Sequence, residues 1–458
     1  MIGISKLYCG AVEASDVLRY NRESKKLPSD LLQFSADKKP IVVWNCTRTC
    51  NLKCVHCYAG SDARRYDELS TAEAKSMIDD LAAFGAPVLL FSGGEPCLRH
   101  DLVELMHHAK NSGMRVVIST NGTMITPDLA RQFADVGLSY VGVSLDGGRK
   151  THDRFRGVEG AFDRSLEGIR TAKAAGIKVG LRMTINKMNW EDINDIFDIM
   201  EAEDINRACF YHLVYTGRGS ELMDEDLDRE QTRRAVRLIM DRTRAWFDRG
   251  GAPEVLTVDN HADGPFVYTE LLREDPARAA EVLQLLQWNR GNSTGAGIAS
   301  VSWDGEVYAD QFWRHFSFGN VRTRPFSQIW TDVSRTTPAS ELMFRLKDKR
   351  PFVKGRCARC RWLDICNGNF RVRAEAATGD LWASDPACYL TDEEIGLSSQ
   401  DIRAVAAEEK ARAERMDILD EQGAPYEVMA DIMPSNAMTP SPFETTGASA
   451  RHDAKDEA

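Results

Sequence analysis

The chain has 458 residues, a formal net charge of -11, 43% hydrophobic residues and eleven cysteines. That length holds one large domain plus a smaller one, and the acidic balance argues against a nucleic-acid partner, whose phosphates want a basic face. The opening residues lack a basic start followed by a long apolar run, and no stretch approaches the roughly 20 apolar residues of a membrane span, so the chain reads as soluble and cytoplasmic, with no membrane partner. In a reducing cytoplasm, clustered cysteines are more often metal ligands or redox groups than disulfides.

From residue 41, short β-rich runs alternate with amphipathic helical stretches. Strands are expected at 41–45, 87–91, 115–120, 140–145, 178–185 and 208–214. Between the first two, Ser70 and Glu73 have capping-box spacing ahead of an apolar stripe. The stretch "TPDLARQFADVG" has Pro near its start and Gly at its end, the usual polarity of helix signals. Six such repeats predict an α/β fold, a partial (β/α)6 barrel over 41–214, preceded by an N-terminal extension over 1–40. Chemistry then belongs at the C-terminal strand ends. Four polar or Gly-rich turns converge there: the cysteine segment after the first strand, "SGGEP" (92–96), "TNGT" (120–123) and "LDG" (145–147). Residues 215–298 are expected to be a mainly helical connector and substrate region, and 299–392 a second cysteine-bearing domain with a hairpin around Asp304–Gly305. Residues 393–458 read as a charged helix and a disordered tail whose composition supports no core.

In the first cysteine group Cys50, Cys54 and Cys57 are spaced C-x3-C-x2-C. Three thiolates can hold three irons of a 4Fe-4S cluster and leave the fourth open to a small molecule. A zinc site completed by Cys46 or His56 is the alternative, but it leaves the Gly-rich turns unexplained. The triplet after the first strand, with "GGEP" after the second, resembles the radical S-adenosylmethionine (SAM) superfamily. The resemblance implies that Cys50, Cys54 and Cys57 ligate the cluster and that SAM chelates its open iron. Cys46 is then a small buried residue, and His56 packs beside the adenine. Gly93 and Gly94 let backbone approach a ligand, and Glu95 offers an anion to the SAM ammonium. Asn121 and Ser144 are candidates for ribose and carboxylate contacts, and Arg182 for the SAM carboxylate.

The second group comprises Cys357, Cys360 and Cys366, then Cys388 after a gap of 21 residues. Four thiolates with no vacancy suit a fully ligated cluster or a structural zinc. The arrangement resembles the SPASM or shorter twitch extensions of radical SAM proteins, which implies one auxiliary 4Fe-4S cluster. Where a full SPASM domain has two further cysteines, this chain has Asp310 and Phe370. Cys9, Cys97 and Cys209 fit neither group and read as packing residues.

Several stretches, among them "YVGVSLDG", "FYHLVYTGRGS", "TVDNHADGP" and "RCARCRWLDICNGNF", resemble the tetrapyrrole-modifying radical SAM proteins over most of residues 1–395. This implies removal of the two acetate side chains of 12,18-didecarboxysiroheme to give iron-coproporphyrin III in haem biosynthesis, with a reduced ferredoxin or flavodoxin-type donor. Removal of propionates from the same iron tetrapyrrole, as in haem d1 synthesis, is one alternative and peptide maturation another. A zinc-stabilised binding protein is the non-enzyme alternative. Arg218, Arg314 and His315 are candidates for binding substrate, and His212 and His261 for supplying a proton. Arg154 and Arg156 in "HDRFRG" read as structural.

Overall fold

A computed structural model describes residues 1–11 and 39–421. Most of the expected N-terminal extension, and the expected tail after residue 421, lie outside the described residues.

One sheet holds ten strands: β1 (Ile2–Gly3), β2 (Ile41–Thr47), β3 (Val88–Gly93), β4 (Arg115–Thr120), β5 (Val141–Ser144), β6 (Val179–Ile185), β7 (Arg207–His212), β8 (Glu254–Val258), β9 (Ile298–Val301) and β10 (Val307–Tyr308). Their spatial order is β1-β8-β7-β6-β5-β4-β3-β2-β9-β10. Every pairing from β8 across to β9 is parallel, and β1 and β10 close the two edges antiparallel. The six expected strands are β2 to β7. Two more parallel strands widen the arc, β8 beside β7 and β9 beside β2.

Residues 215–298, expected to be mainly helical, also contribute the strand β8 to the sheet. The long helix Arg229–Asp248 leads into β8, "EVLTV", all five residues of which are buried. An apolar run this short has no periodicity to separate strand from helix, and only its tertiary position beside β7 decides it. The expected hairpin is present as β9 and β10, with Gly305 at φ +91° in the turn.

Helices such as Thr71–Phe84, Leu102–Asn111, Pro127–Val136 and Ala161–Ala174 cover the outer face of the sheet, burying Leu81, Leu105, Phe133 and Ile169 completely. Ser70 and Glu73 form the expected capping box, and Pro127 and Gly137 bracket their helix as their positions suggest. The inner face is different. Alternate residues of successive strands, Ile41 and Val43, Leu90 and Ser92, Val117 and Ser119, Cys209 and Tyr211, line a cavity of about 480 Å³. Two strand glycines create its shape: a Cβ on Gly142 would lie 2.3 Å from Arg182 Nε, and one on Gly180 2.5 Å from the Tyr140 hydroxyl.

The helix Ala161–Ala174 also supports the turn after β4. Ser165 Oγ donates to the Asn121 carbonyl at 2.7 Å, and a Cβ on Gly168 would lie 2.0 Å from the Gly122 carbonyl. Gly168→Ala should therefore cost about 1–3 kcal/mol, because backbone rather than a yielding side chain blocks the methyl. A lowered thermal midpoint, measured anaerobically, is the expected outcome, and an unchanged midpoint would contradict this packing.

Candidate functional site

The cysteine loop begins where β2 ends, and three neighbours clamp it. From the turn after β3, Gly94 N–H donates to the Thr47 carbonyl at 2.7 Å and Glu95 N–H to that of Thr49 at 2.9 Å. From the helix Arg149–Arg156, the carbonyls of Arg156 and Phe155 each accept at 3.0 Å, from Lys53 and Val55 N–H. From the turn after β7, Arg218 donates through its backbone N–H to Cys57 O at 3.0 Å, through Nε to Cys54 O at 2.8 Å and through Nη1 to Ser61 O at 3.0 Å. The loop is thus held by main-chain contacts and presents Cys50, Cys54 and Cys57 to the cavity.

Burial pushes the Cys50 thiol up to about 12 and the Cys54 thiol upward as well, so ionising them requires a cation or metal partner. Two donors already point at sulfur: Leu52 N–H reaches Cys50 Sγ at 3.4 Å, and Arg156 Nη1 reaches Cys54 Sγ at 3.4 Å. The chemistry of this donor set, three thiols on an open cavity, fits a cluster with a vacant iron.

The expected SAM contacts divide. Gly93, Gly94, Asn121, Ser144 and Arg182 all line the cavity. The glycines, however, serve the cysteine loop first: a Cβ at either position would lie 2.2 Å from the carbonyl oxygen of Thr47 or Thr49. Glu95 is fully buried. Its carboxylate accepts from Thr120 Oγ1 at 2.7 Å, Asn121 N–H at 2.8 Å and Cys97 N–H at 3.0 Å, which ties the β3 turn to the β4 turn. These three donors fix the carboxylate that is expected to offer its charge to the SAM ammonium. Asn121 is oriented by Asn51 of the cysteine loop at 2.9 Å, and Arg182 Nη1 donates to Ser119 Oγ at 2.7 Å. His56 lines the cavity, packs on Phe155 with ring centroids 4.6 Å apart and lies 3.9 Å from Asp146; burial pushes it down to about 4.

His212 and His261 both line the cavity. His212 Nε2 lies 3.0 Å from Asp263 Oδ2, and the other oxygen of Asp263 accepts from the Tyr389 hydroxyl at 2.7 Å. Burial holds His261 well below the usual imidazole range, and its Nδ1 has no hydrogen-bond partner. It is neutral at ordinary pH and is therefore a poor acid.

The three residues expected to bind substrate are not free cations at the cavity. Arg218 lines it, but its guanidinium is spent on cysteine-loop carbonyls. Arg314 packs on the hairpin, over Trp303 and Tyr308, and His315 pairs with Glu375 at 2.8 Å; neither lines the cavity.

Cys357, Cys360, Cys366 and Cys388 surround a second, smaller cavity walled by Ala262, Trp362, Leu363, Leu390 and Ile395. Trp362 N–H donates to Cys360 Sγ at 3.3 Å, and burial pushes the Cys360 thiol up to about 11 and that of Cys388 to about 12. The set of four thiols, with backbone donors from Trp362 to Cys360 and from Leu390 to Cys388 and with Arg356 alongside, suits an anionic cluster. Asn369 separates the two cavities: its Oδ1 accepts from His261 N–H at 2.7 Å and its Nδ2 donates to Asn260 Oδ1 at 2.8 Å. Cys46 is fully buried, Cys97 abuts Glu95 and Thr120, and Cys9 packs half-buried, but Cys209 faces the main cavity.

Three cavity residues escaped the sequence reading. Arg156, expected to be structural, is buried, ion-paired with Asp146, and donates to Cys54 sulfur, whereas Arg154 is exposed. Tyr58, directly after Cys57, donates to Asn45 at 2.8 Å and meets Phe312 edge-on at 5.2 Å. Asp259 lies buried at the end of β8. The repeated placement of polar residues just after strands could have flagged Asp259 had β8 been recognised.

Comparison with known proteins agrees with this geometry. Residues 44–200 match the radical SAM superfamily, and residues 293–361 match the SPASM iron-sulfur cluster-binding domain. A Fe-coproporphyrin III synthase of Methanosarcina barkeri is 64% identical over 86% of this chain and 99% of its own length. A pre-heme d1 synthase of Dinoroseobacter shibae is 40% identical over 79% of this chain and 89% of its own. Among solved structures, Streptococcus suis SuiB bound to its precursor peptide SuiA superposes with a TM-score of 0.61 at 17% identity, covering 77% of this chain and 76% of SuiB. Such low identity speaks for the fold alone. The barrel with its three-thiol loop and the second four-thiol domain thus have one reading: the chain belongs to the radical SAM superfamily, binding SAM and a 4Fe-4S cluster in its barrel and auxiliary iron-sulfur in its SPASM domain.

Proposed function

We propose that this enzyme removes the two acetate side chains of 12,18-didecarboxysiroheme, giving iron-coproporphyrin III in haem biosynthesis. The observation that carries the proposal is the 64% identity to a Fe-coproporphyrin III synthase across 99% of that protein. The cavity supports it: the aromatic faces of Tyr58, Tyr211, Phe312 and Phe370 and the apolar Leu213 and Val214 suit a flat macrocycle, while Arg182 brings positive charge. Asp310 and Phe370, at the positions where a full SPASM domain has cysteines, both line this cavity.

In this reading Cys50, Cys54 and Cys57 hold the SAM-binding cluster, and Cys357, Cys360, Cys366 and Cys388 hold one auxiliary cluster. Bound together, SAM and the first cluster supply a 5′-deoxyadenosyl radical able to take hydrogen from unactivated carbon. The protein's part is positioning. Gly93 and Gly94 bring main chain to the ligand, Asn121 and Ser144 offer polar contacts, and Arg182 pairs with a carboxylate. His261, neutral, orients substrate by hydrogen bonding, and His212 is steadied by Asp263. No helix of the described residues is long and apolar enough to cross a membrane. A cytoplasmic setting, with a reduced ferredoxin or flavodoxin-type donor, completes the proposal.

Anaerobic incubation of the reconstituted protein with SAM, a strong reductant and 12,18-didecarboxysiroheme, followed by mass analysis of the pigment, tests it. Loss of both acetates is expected. Loss of propionates would assign the chain to the haem d1 branch, and unchanged pigment with SAM still cleaved would point to peptide substrates. The two cysteine groups should also separate. Cys54→Ala should lose about four irons per chain and all 5′-deoxyadenosine formation, whereas Cys388→Ala should lose a similar amount of iron but retain SAM cleavage. Equal loss of cleavage in both, with both variants folded, would contradict the division of labour.

A further inference from the structure

One acidic group on the wall of the main cavity has no role in the reading above. Immediately after β8 the chain turns at Asp259, whose φ of +67° lies in the left-handed region. That conformation costs a non-glycine residue of order 1–3 kcal/mol and persists where surrounding structure imposes it. Asp259 is only 6% exposed, lines the cavity, and has a buried Oδ2 with no hydrogen-bond partner. An oxygen in that position is costly to bury as a carboxylate and far less so as a neutral acid.

Its neighbours are placed by the strands. The β7–β8 register pairs Tyr211 with Val258, which sets Asp259 beside the end of β7, where His212 stands. Arg373 donates through Nη2 to the Asp259 backbone carbonyl at 2.9 Å and through Nη1 to the Leu213 carbonyl at 2.9 Å, and Nε and Nη2 both engage Asp385. This buried guanidinium fixes the main chain at residue 259 and leaves the carboxyl group to the cavity.

We propose that Asp259 is the proton donor that converts the departing side-chain fragment into acetate. The inference rests on the tetrapyrrole reading above. When a macrocycle hydrogen atom passes to the 5′-deoxyadenosyl radical, an unpaired electron remains on the ring. Homolysis of the adjacent bond to the side chain forms a ring double bond and frees a carboxymethyl radical. One electron from a low-potential iron-sulfur reductant and one proton from Asp259 make that fragment acetate. Asp259, left as carboxylate, regains its proton from solvent.

The electrostatics agree. Burial is the dominant influence and pushes the Asp259 carboxyl up to about 7; the amino terminus, Arg373 and His212 oppose it, and Asp310 adds to it. Tyr211 also faces the group from β7. The acid form is therefore present below about pH 7 and is lost as pH rises through that value. His261, held neutral, is not a competing acid.

The test compares the wild-type holoenzyme with Asp259→Asn, which keeps the size and the left-handed preference of the residue. In the variant, iron content and 5′-deoxyadenosine formation should stay near wild type while acetate and finished pigment fall by roughly 10²-fold. The wild-type decline in product formation above neutral pH should disappear, and Asp259→Glu should restore part of the yield. Independently of any variant, acetate released by wild type in D2O should carry one deuterium. Wild-type yield and pH profile in Asp259→Asn would overturn the proposal. So would acetate without deuterium, since the fragment would then have recovered hydrogen from 5′-deoxyadenosine. Wild-type protein that leaves the pigment intact removes the tetrapyrrole reading and this donor with it.

Discussion

The site depends on a contact between two stretches of main chain. The Thr47 and Thr49 carbonyls accept from Gly94 and Glu95 N–H, an approach so close that a Cβ at 93 or 94 would lie 2.2 Å from an oxygen. That contact sets where the cysteine loop leaves β2. Arg156 and Arg218 then hold the loop from two other sides, one at a sulfur and the other at carbonyls. Because the restraints are mostly backbone hydrogen bonds, the thiols are pre-positioned before any cluster arrives, as a metal-binding constellation needs.

Glu95 illustrates how the barrel converts sequence proximity into function. Its carboxylate binds three donors on the β3 and β4 turns and so fixes Asn121, which in turn contacts Asn51 in the cysteine loop. Between the main cavity and the auxiliary thiols, Asn369 bonds to both Asn260 and His261, and Tyr389, directly after Cys388, reaches Asp263 and through it His212. The two cysteine groups thus border neighbouring compartments joined by a short buried polar wall.

Much of this was legible in the sequence, for physical reasons. Strands β2 to β7 announce themselves as β-branched runs separated by capped helices, and the cysteine spacings mark two metal or cluster sites that the surrounding motifs then resolve. What stayed hidden depended on tertiary placement. β8 is too short to show a period, and with it Asp259 went unnoticed. Arg218 and Arg314 were sensible candidates as cations, yet what a guanidinium binds is decided by the carbonyls and rings around it, and these come from residues distant in sequence. Gly142 and Gly180 carried an unused signal: glycine within a strand marks a side chain crossing from its neighbour, here Arg182 and Tyr140.

The central claim is that one cavity brings the SAM-derived radical and the macrocycle together. It is tested most directly by supplying 12,18-didecarboxysiroheme deuterated at the ring carbons next to those that carry the acetates, and analysing the 5′-deoxyadenosine formed. The account predicts deuterium in the 5′-deoxyadenosine methyl group, transferred from the macrocycle as product appears. Product formation with unlabelled 5′-deoxyadenosine would contradict it.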